Sequence, residues 1–281
     1  MAEFVHLKFV PGFPLSNFVD YLWKVSYQDL KPQSVEKILP DGGVEVFVNL
    51  NYDRLDKEDD QVLLNQPWIK RAAFIGGLRT KATETRFPTS LNLMGIRFKP
   101  HGFKSFFNIG LHELVDKTFS LDDVIQIDQR GLVDRLRNAD TELEQFAIPE
   151  NFLFSNFTYK NEEEVDKIVE QILSNHGNVR MEELYGYISN ASKNFLRKFK
   201  DKTGTTPKKI SDIYRFKRVI HLAKNLDSKK ADWQTILYQC GYYDQSHFIH
   251  DFKKYSGVTP SKYFKNKVDY FSHGDDKELF Y

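Results

Sequence analysis

One cysteine, Cys240, stands in 281 residues, which excludes an intramolecular disulfide and leaves stability to packing. With only 15 Gly and 10 Pro, the chain is neither collagen-like nor of the Pro/Gly-rich low-complexity kind. Long apolar runs are missing as well: the longest weakly charged stretches, residues 44–50 and 91–98, fall far short of the ~20 residues that cross a bilayer. The opening MAEFVHLKFVPGF lacks a basic start followed by an unbroken apolar stretch, so no secretory signal and a cytoplasmic location away from membranes are expected. Net charge is nearly absent, +1 from 40 basic and 39 acidic residues. What the chain does have is core material, 41% hydrophobic and 15% aromatic residues, which argues against disorder. Its length suggests two domains of roughly 100 to 200 residues each.

The near-zero total conceals an uneven distribution. Residues 1–188 hold 21 basic and 29 acidic side chains, and residues 269–281 hold 1 and 4. Residues 189–268 hold 18 basic against 6 acidic, a balance of +12, with His221, His247 and His250 in the same segment. Such a stretch suits a polyanion, because each phosphate it neutralises releases counterions. Charge alone also fits a solvated lysine-rich face. Spacing has to decide between the two.

Residues 1–125 read as short extended runs over 5–10, 35–39, 44–50, 72–75 and 91–98. Between two of these, Pro40-Asp41-Gly42-Gly43 forms a hairpin-type loop, since Asp and Gly accept positive φ at low cost. Ser16 ahead of Phe18, Val19 and Leu22 predicts a short amphipathic helix over residues 17–23. The acidic run 53–61 predicts a surface loop. Residues 140–161, broken by Pro149-Glu150-Asn151, predict a linker that Phe152, Phe154, Phe157 and Tyr159 pack onto a domain. Beyond it, helices are predicted over 162–174, 181–188, 192–202, 207–226, 233–239, 245–255 and 260–267.

Those helices contain an internal repeat at an offset of 53 residues. Phe199-Lys200 with Thr203-Gly204, Thr206-Pro207 and Lys209 recurs as Phe252-Lys253 with Ser256-Gly257, Thr259-Pro260 and Lys262. Phe195 falls on Phe248, and Leu184 on Leu237. Each copy is a helix ended by Gly, followed by Thr-Pro opening the next. Phe195 and Phe199, or Phe248 and Phe252, lie four apart and share a buried face. That turns Lys193, Asn194, Arg197 and Lys198, and in the second copy Ser246, His247, His250 and Asp251, outward. A short helix precedes each copy after a break of a few residues, which is a helix-turn-helix order. The helix joining the copies, about twenty residues, spans about 30 Å, close to the ~34 Å between successive major grooves on one side of a duplex.

Cys240-Gly241, Gln245-Ser246-His247-Phe248, Phe252-Lys253 and Gly257-Val258-Thr259-Pro260-Ser261 with Tyr263 resemble the second-unit signature of AraC-type transcriptional regulators. Leu196-Arg197-Lys198-Phe199-Lys200 and Gly204 to Pro207 are similar to the first unit, although Tyr187-Ile188-Ser189-Asn190 stands where the family has a small residue and Gly before the turn. The N-terminal part resembles a domain often fused to this module in bacteria. That likeness rests on Pro14-Leu15 with Phe18, Tyr21 and Trp23, on Leu39-Pro40-Asp41-Gly42 with Glu45 and Asn49, on Gly95 and Arg97-Phe98 with Pro100 and Gly102, and on Glu113-Leu114 with Asp116.

The resemblance implies a regulator that binds double-stranded DNA, with base-reading residues Lys193, Leu196, Arg197, Gln245, Ser246, His247 and His250. Chemistry supports part of this set: Arg pairs in bidentate fashion with guanine and Gln with adenine, each worth about 1 to 3 kcal/mol. Leu196 could make only apolar contact, and His250 stands where the family often has Arg. Lys198, Lys200, Lys208, Lys209, Lys253 and Lys254 suit phosphate, since lysine is a point charge without sequence information.

His247 and His250 are spaced to share a metal with Asp244, Asp251 or Cys240, but the family reading places both on a DNA-facing helix and no metal is assigned. Asp41 with Glu45, or His101 and His112 with Glu113, could start an enzyme reading, yet no nucleophile motif or nucleotide loop accompanies them. No enzymatic activity and no cofactor are expected. Glu45, Asn49 and Arg97 form a buried polar network, either structural or ligand-contacting.

The expected fold is α+β in two domains. Residues 1–155 form a strand-rich, barrel-like domain with a few helices that senses a small-molecule effector or, alternatively, only pairs two copies into a homodimer. Residues 156–268 form an all-helical DNA-binding domain of two helix-turn-helix units joined by a long helix, and residues 269–281 a frayed tail. RNA polymerase joins the partners if the protein is an activator.

Overall fold

The computed structural model describes residues 4–28, 36–53, 70–125, 128–158, 163–186, 193–224, 233–265 and 270–271. Most of the acidic loop 53–61 and the turn residues Tyr187 to Asn190 lie outside them.

The N-terminal half is built on strands β1 (Val5–Phe9), β2 (Val19–Tyr27), β3 (Glu36–Ile38), β4 (Val44–Asn49), β5 (Ala73–Gly76), β6 (Thr83–Thr85), β7 (Leu91–Phe98) and β8 (Thr118–Ser120). Six of them form an antiparallel sheet in the order β1-β2-β7-β4-β5-β8. A second sheet runs β6-β3-β9, where β9 is Tyr270–Phe271, parallel to β3. The chain beyond residue 269, expected to fray, therefore begins with a paired segment.

The helix expected over residues 17–23 is not formed. A single 3-10 turn at Leu15–Asn17 leads directly into β2. Tyr21, Trp23, Val25 and Tyr27 alternate along one face, and β-branched and aromatic residues at every second position favour a pleated strand over a helix. Alternation also gives the large sheet two buried faces. One carries Leu22, Val46, Val48, Ile75, Met94 and Ile96 into the main core. The other carries Trp23, Val25, Tyr27, Phe47, Phe74, Leu91 and Leu93 into a separate, smaller cluster.

The predicted linker is instead a helix. After α1 (Gln129–Arg137), α2 (Glu142–Ser155) runs through Pro149. The Thr141 hydroxyl accepts from Glu144 N at 3.2 Å, and the Glu144 carboxylate accepts from Asp140 N at 2.8 Å, a capping exchange that starts the helix firmly. Phe146 of α2 stacks on Phe9 of β1, with ring centroids 5.4 Å apart, which fixes α2 to the sheet.

The C-terminal helices are α3 (Glu163–Ser174), α4 (Met181–Gly186), α5 (Lys193–Thr203), α6 (Pro207–Lys224), α7 (Trp233–Gln239), α8 (Gln245–Ser256) and α9 (Pro260–Lys265). Ile210, Ile213, Phe216 and Val219 of α6 are fully buried, and helices α3, α7 and α8 pack against it. The main core is continuous from the large sheet through these helices.

Candidate nucleic-acid interface

The repeat seen in the sequence is reproduced atom by atom. In α5 the Thr203 hydroxyl lies 2.8 Å from the Phe199 carbonyl oxygen and 3.1 Å from that of Thr205. At the equivalent end of α8, the Ser256 hydroxyl lies 2.7 Å from the Phe252 carbonyl and 2.9 Å from that of Val258. Gly204 and Gly257 follow at φ +84° and +76°, the left-handed region that only glycine enters without steric cost. Thr206 and Thr259 then accept from the backbone N–H three residues on, at 3.3 and 3.4 Å, and open α6 and α9.

The turn of the second unit is closed at both ends. Gly241 N donates to the Tyr238 carbonyl at 3.0 Å and Tyr242 N to the Leu237 carbonyl at 2.9 Å, the paired bonds of a Schellman helix end. Asp244 then caps α8, its Oδ1 accepting from His247 N at 2.8 Å. Cys240 is buried in this turn, and burial pushes its thiol up to about 11, away from thiolate chemistry.

Phe195, Phe199, Phe248 and Phe252 are all buried, as the spacing predicts. The faces they leave outward carry most of the expected base-reading residues. Lys193, Leu196 and Arg197 are exposed on α5, and Asn194 Oδ1 accepts from Arg197 Nη2 at 3.1 Å, holding the guanidinium against its own helix. On α8, Gln245, Ser246 and His250 are exposed. His247 is half-buried, its ring edge-on to Tyr242 with centroids 5.2 Å apart and its Nε2 3.4 Å from Asp251 Oδ2.

Asp251, expected outward, is buried at 6% exposure. It lies one turn from His247, and the His250 Nδ1 is 3.7 Å from its other oxygen. The α8 face is thus narrower than the spacing implies. An open groove beside it is lined by Ser246, Ile249, His250, Lys253 and Lys254.

The lysines expected on phosphate divide into two groups. Lys198, Lys200, Lys253 and Lys254 are exposed. Lys208 pairs with Asp212 at 2.7 Å. Lys209 is half-buried, with its ammonium 4.8 Å from the Tyr255 ring centroid, and burial, with Lys254 second, lowers its pKa. Two exposed aromatics beside α8, Tyr238 at 83% and Tyr243 at 87%, escaped the sequence reading. Their signal was present: neither falls on a phenylalanine position of the repeat.

The three N-terminal polar residues do not form one site. Arg97 and Glu45 face each other across β7 and β4. Arg97 Nη1 lies 2.6 Å from Asp41 and 3.8 Å from Glu45, while the Trp23 indole donates to Glu45 at 3.3 Å. Burial works against the Arg97 charge, but Asp41 and Glu45 hold its pKa above the ordinary range. Asn49 sits four residues along β4, about 13 Å away, where its Oδ1 accepts from Asn51 N at 3.1 Å.

Two domains meet around the C-terminal ends of the outward helices. Asp201 of α5 pairs with Lys104 and lies 3.5 Å from His112 Nδ1. Ala82 N donates to the Tyr255 carbonyl of α8 at 2.9 Å. Lys202, fully buried, pairs with Asp166 of α3 at 2.7 Å. The Asp41-Gly42 turn packs against α6, with Gly42 at φ +89° under the Tyr214 ring.

A closed helix-turn-helix turn in the second unit, a first unit whose helix ends in the same way, and a cationic outward face on both define a DNA-binding regulator. Residues 190–266 match the profile of a helix-turn-helix domain family, and residues 7–120 match a domain of unknown function, DUF6597. The C-terminal part is an AraC-type helix-turn-helix domain, placed behind that N-terminal domain. No curated protein matches the chain. Among solved structures, an apo point variant of ToxT from Vibrio cholerae aligns at 14% identity over 94% of this chain and 96% of that one, with a TM-score of 0.38. A second ToxT structure from Vibrio cholerae gives 12% identity, 94% and 96% coverage and 0.37. Wild-type ToxT with a bound unsaturated fatty acid gives 15% identity, 94% of each chain and 0.35. Among the described residues no helix is long and apolar enough to cross a membrane.

Proposed function

We propose that the protein regulates transcription by laying the N-terminal halves of α5 and α8 in two successive major grooves of one duplex. The observation that carries this reading is the duplication itself: two helices with matching C-terminal ends, each presenting an exposed polar face. At 18 residues α6 spans about 27 Å, short of one helical turn of DNA by an amount that the offset of the two units along their own axes can supply. Arg197, Gln245, Ser246 and His250 read bases, while Lys198, Lys200, Lys253 and Lys254 hold phosphates. The N-terminal domain senses a small molecule and hands its state to α6 through the Gly42–Tyr214 contact. No catalytic step and no cofactor enter this function.

A binding series on randomised duplexes tests it. Arg197→Ala changes base preference at one position by about 1 to 3 kcal/mol. Lys200→Ala weakens all sequences alike and lowers the salt slope by about one unit. Equal losses on every sequence for Arg197→Ala would remove that residue from the base-reading set.

A second reading, in which the N-terminal domain pairs two copies, is favoured by one feature. Val10 and Phe13 follow the outer strand β1 at 63% and 83% exposure, and Leu143, at 72%, lies one turn from the Phe146 ring that stacks on Phe9. Sedimentation of the full chain distinguishes the two: a monomer at micromolar concentration removes the pairing reading.

A further inference from the structure

Each outward helix keeps one aliphatic side chain in the open. On α5 it is Leu196 and on α8 Ile249, and both stand at 39% exposure. The two lie 53 residues apart, so they occupy the same position of the duplicated unit. Among the described residues, the aromatic side chains of these helices, Phe195, Phe199, Phe248, Phe252 and Tyr255, are all buried. A single exposed aliphatic needs no explanation. The same kind of residue at the same place in both copies calls for a shared role.

The neighbours indicate which role. Ser246, Ile249, His250 and Lys253 lie three and four apart and share one strip of α8, along its open groove. Lys193, Leu196, Arg197 and Lys200 form the equivalent strip of α5, all of them exposed. His247 leaves the strip, half-buried beside Tyr242 and Asp251. Each strip thus sets an aliphatic side chain among hydrogen-bonding and cationic ones. A major groove offers the complementary order, phosphates along its rims and base edges on its floor. Among the base edges only thymine presents a methyl group there. Against any other edge a leucine or isoleucine would cover a donor or acceptor without replacing its bond to water.

We infer that Leu196 and Ile249 are specificity-determining residues, each seated on the C5-methyl group of a thymine, so that the operator carries a thymine at two positions about one helical turn, ~10 base pairs, apart. The inference rests on the DNA-reading role proposed above and names what the middle of each helix recognises. Arg197 and His250, the next residues along, then fall on the base pairs beside those thymines.

The test uses the full chain and the duplex it selects from a randomised library, resynthesised with deoxyuridine in place of one thymidine at a time. Uracil keeps every hydrogen-bonding group of thymine and lacks only the methyl, so charge and base pairing stay the same. At two positions about ten base pairs apart, the exchange lowers affinity about fourfold, the effect of one methyl-sized group left unburied, with the salt slope unchanged. Leu196→Ala removes the penalty at one of these thymines and Ile249→Ala at the other. Each variant keeps the penalty that belongs to its counterpart, which shows that it still folds and docks, and Ile249→Val keeps most of its own. Penalties that persist in both alanine variants, or a single thymine that answers to both, would overturn the assignment. Full affinity of both variants on thymine and uracil duplexes alike would overturn it too, turning the two side chains toward a protein partner. A selected sequence without methyl dependence leaves the DNA-reading role standing and removes this inference; no selected sequence at all removes both.

Discussion

His101 lies at 2% exposure with its ring centroid 6.0 Å from that of Phe18. Burial, then Lys202 and Lys99, push its pKa down to about 3. The folded protein thus keeps this imidazole neutral, whereas the unfolded chain takes up a proton below about pH 6.5. Stability held above pH 6.5 is lost progressively as pH falls toward 3, by a total of about 5 kcal/mol. His101→Gln is expected to flatten the fall of Tm between pH 6.5 and 4, measured by thermal melts; an unchanged slope would assign the acid sensitivity to other groups. At this scale, reading the sequence worked where a residue repeats a pattern. Phe195, Phe199, Phe248 and Phe252 were legible because four-residue spacing fixes a shared face. Asp251 was not, because spacing puts it on the polar side whereas it lies buried at 6% exposure beside His247 and His250.

The helices of the C-terminal part start and stop where their caps dictate. Asp244 accepts with its side chain from one of the first free N–H groups of α8, that of His247, and its loss costs about 1 kcal/mol. Asp244→Ala is expected to weaken operator binding through the second unit by a factor of about 5, with Asp244→Asn restoring most of it, as read in gel-shift titrations. A loss confined to overall Tm, with no change in affinity, would show that α8 keeps its start without the cap. Legibility followed the same logic: Gly-x-Thr-Pro punctuation marks the stops of α5 and α8 and the starts of α6 and α9 to within a residue. In contrast, β2 was misread because Phe18, Val19 and Leu22 mimic a helical face over one turn, and only the full run to Tyr27 shows the period of two. Over α2 the sequence points to a break at Pro149, whereas the Thr141 to Glu144 capping exchange upstream outweighs one lost backbone bond.

At the scale of the molecule, the join between the parts was not visible in the chain. The Pro40 to Gly43 loop was legible as a turn, but not as a seat for α6, because the partner Tyr214 lies over 170 residues away. A side chain at Gly42 would both strain a positive φ and strike the Tyr214 ring. Gly42→Ala is expected to destabilise the protein by about 1 to 3 kcal/mol. Tyr214→Ala should recover the steric part, giving a coupling of at least about 0.5 kcal/mol in a double-mutant cycle; additive effects would mean that the ring and the turn do not bear on each other.

The contacts at Asp201 and at the Tyr255 carbonyl hold each outward helix by its tail, while the heads, beginning at Lys193 and Gln245, point away from that grip. On the proposed function, operator and amino-terminal half would share each helix without competing for it. Control would then act on aim and not on access, through whether both heads arrive at the angle the duplex offers.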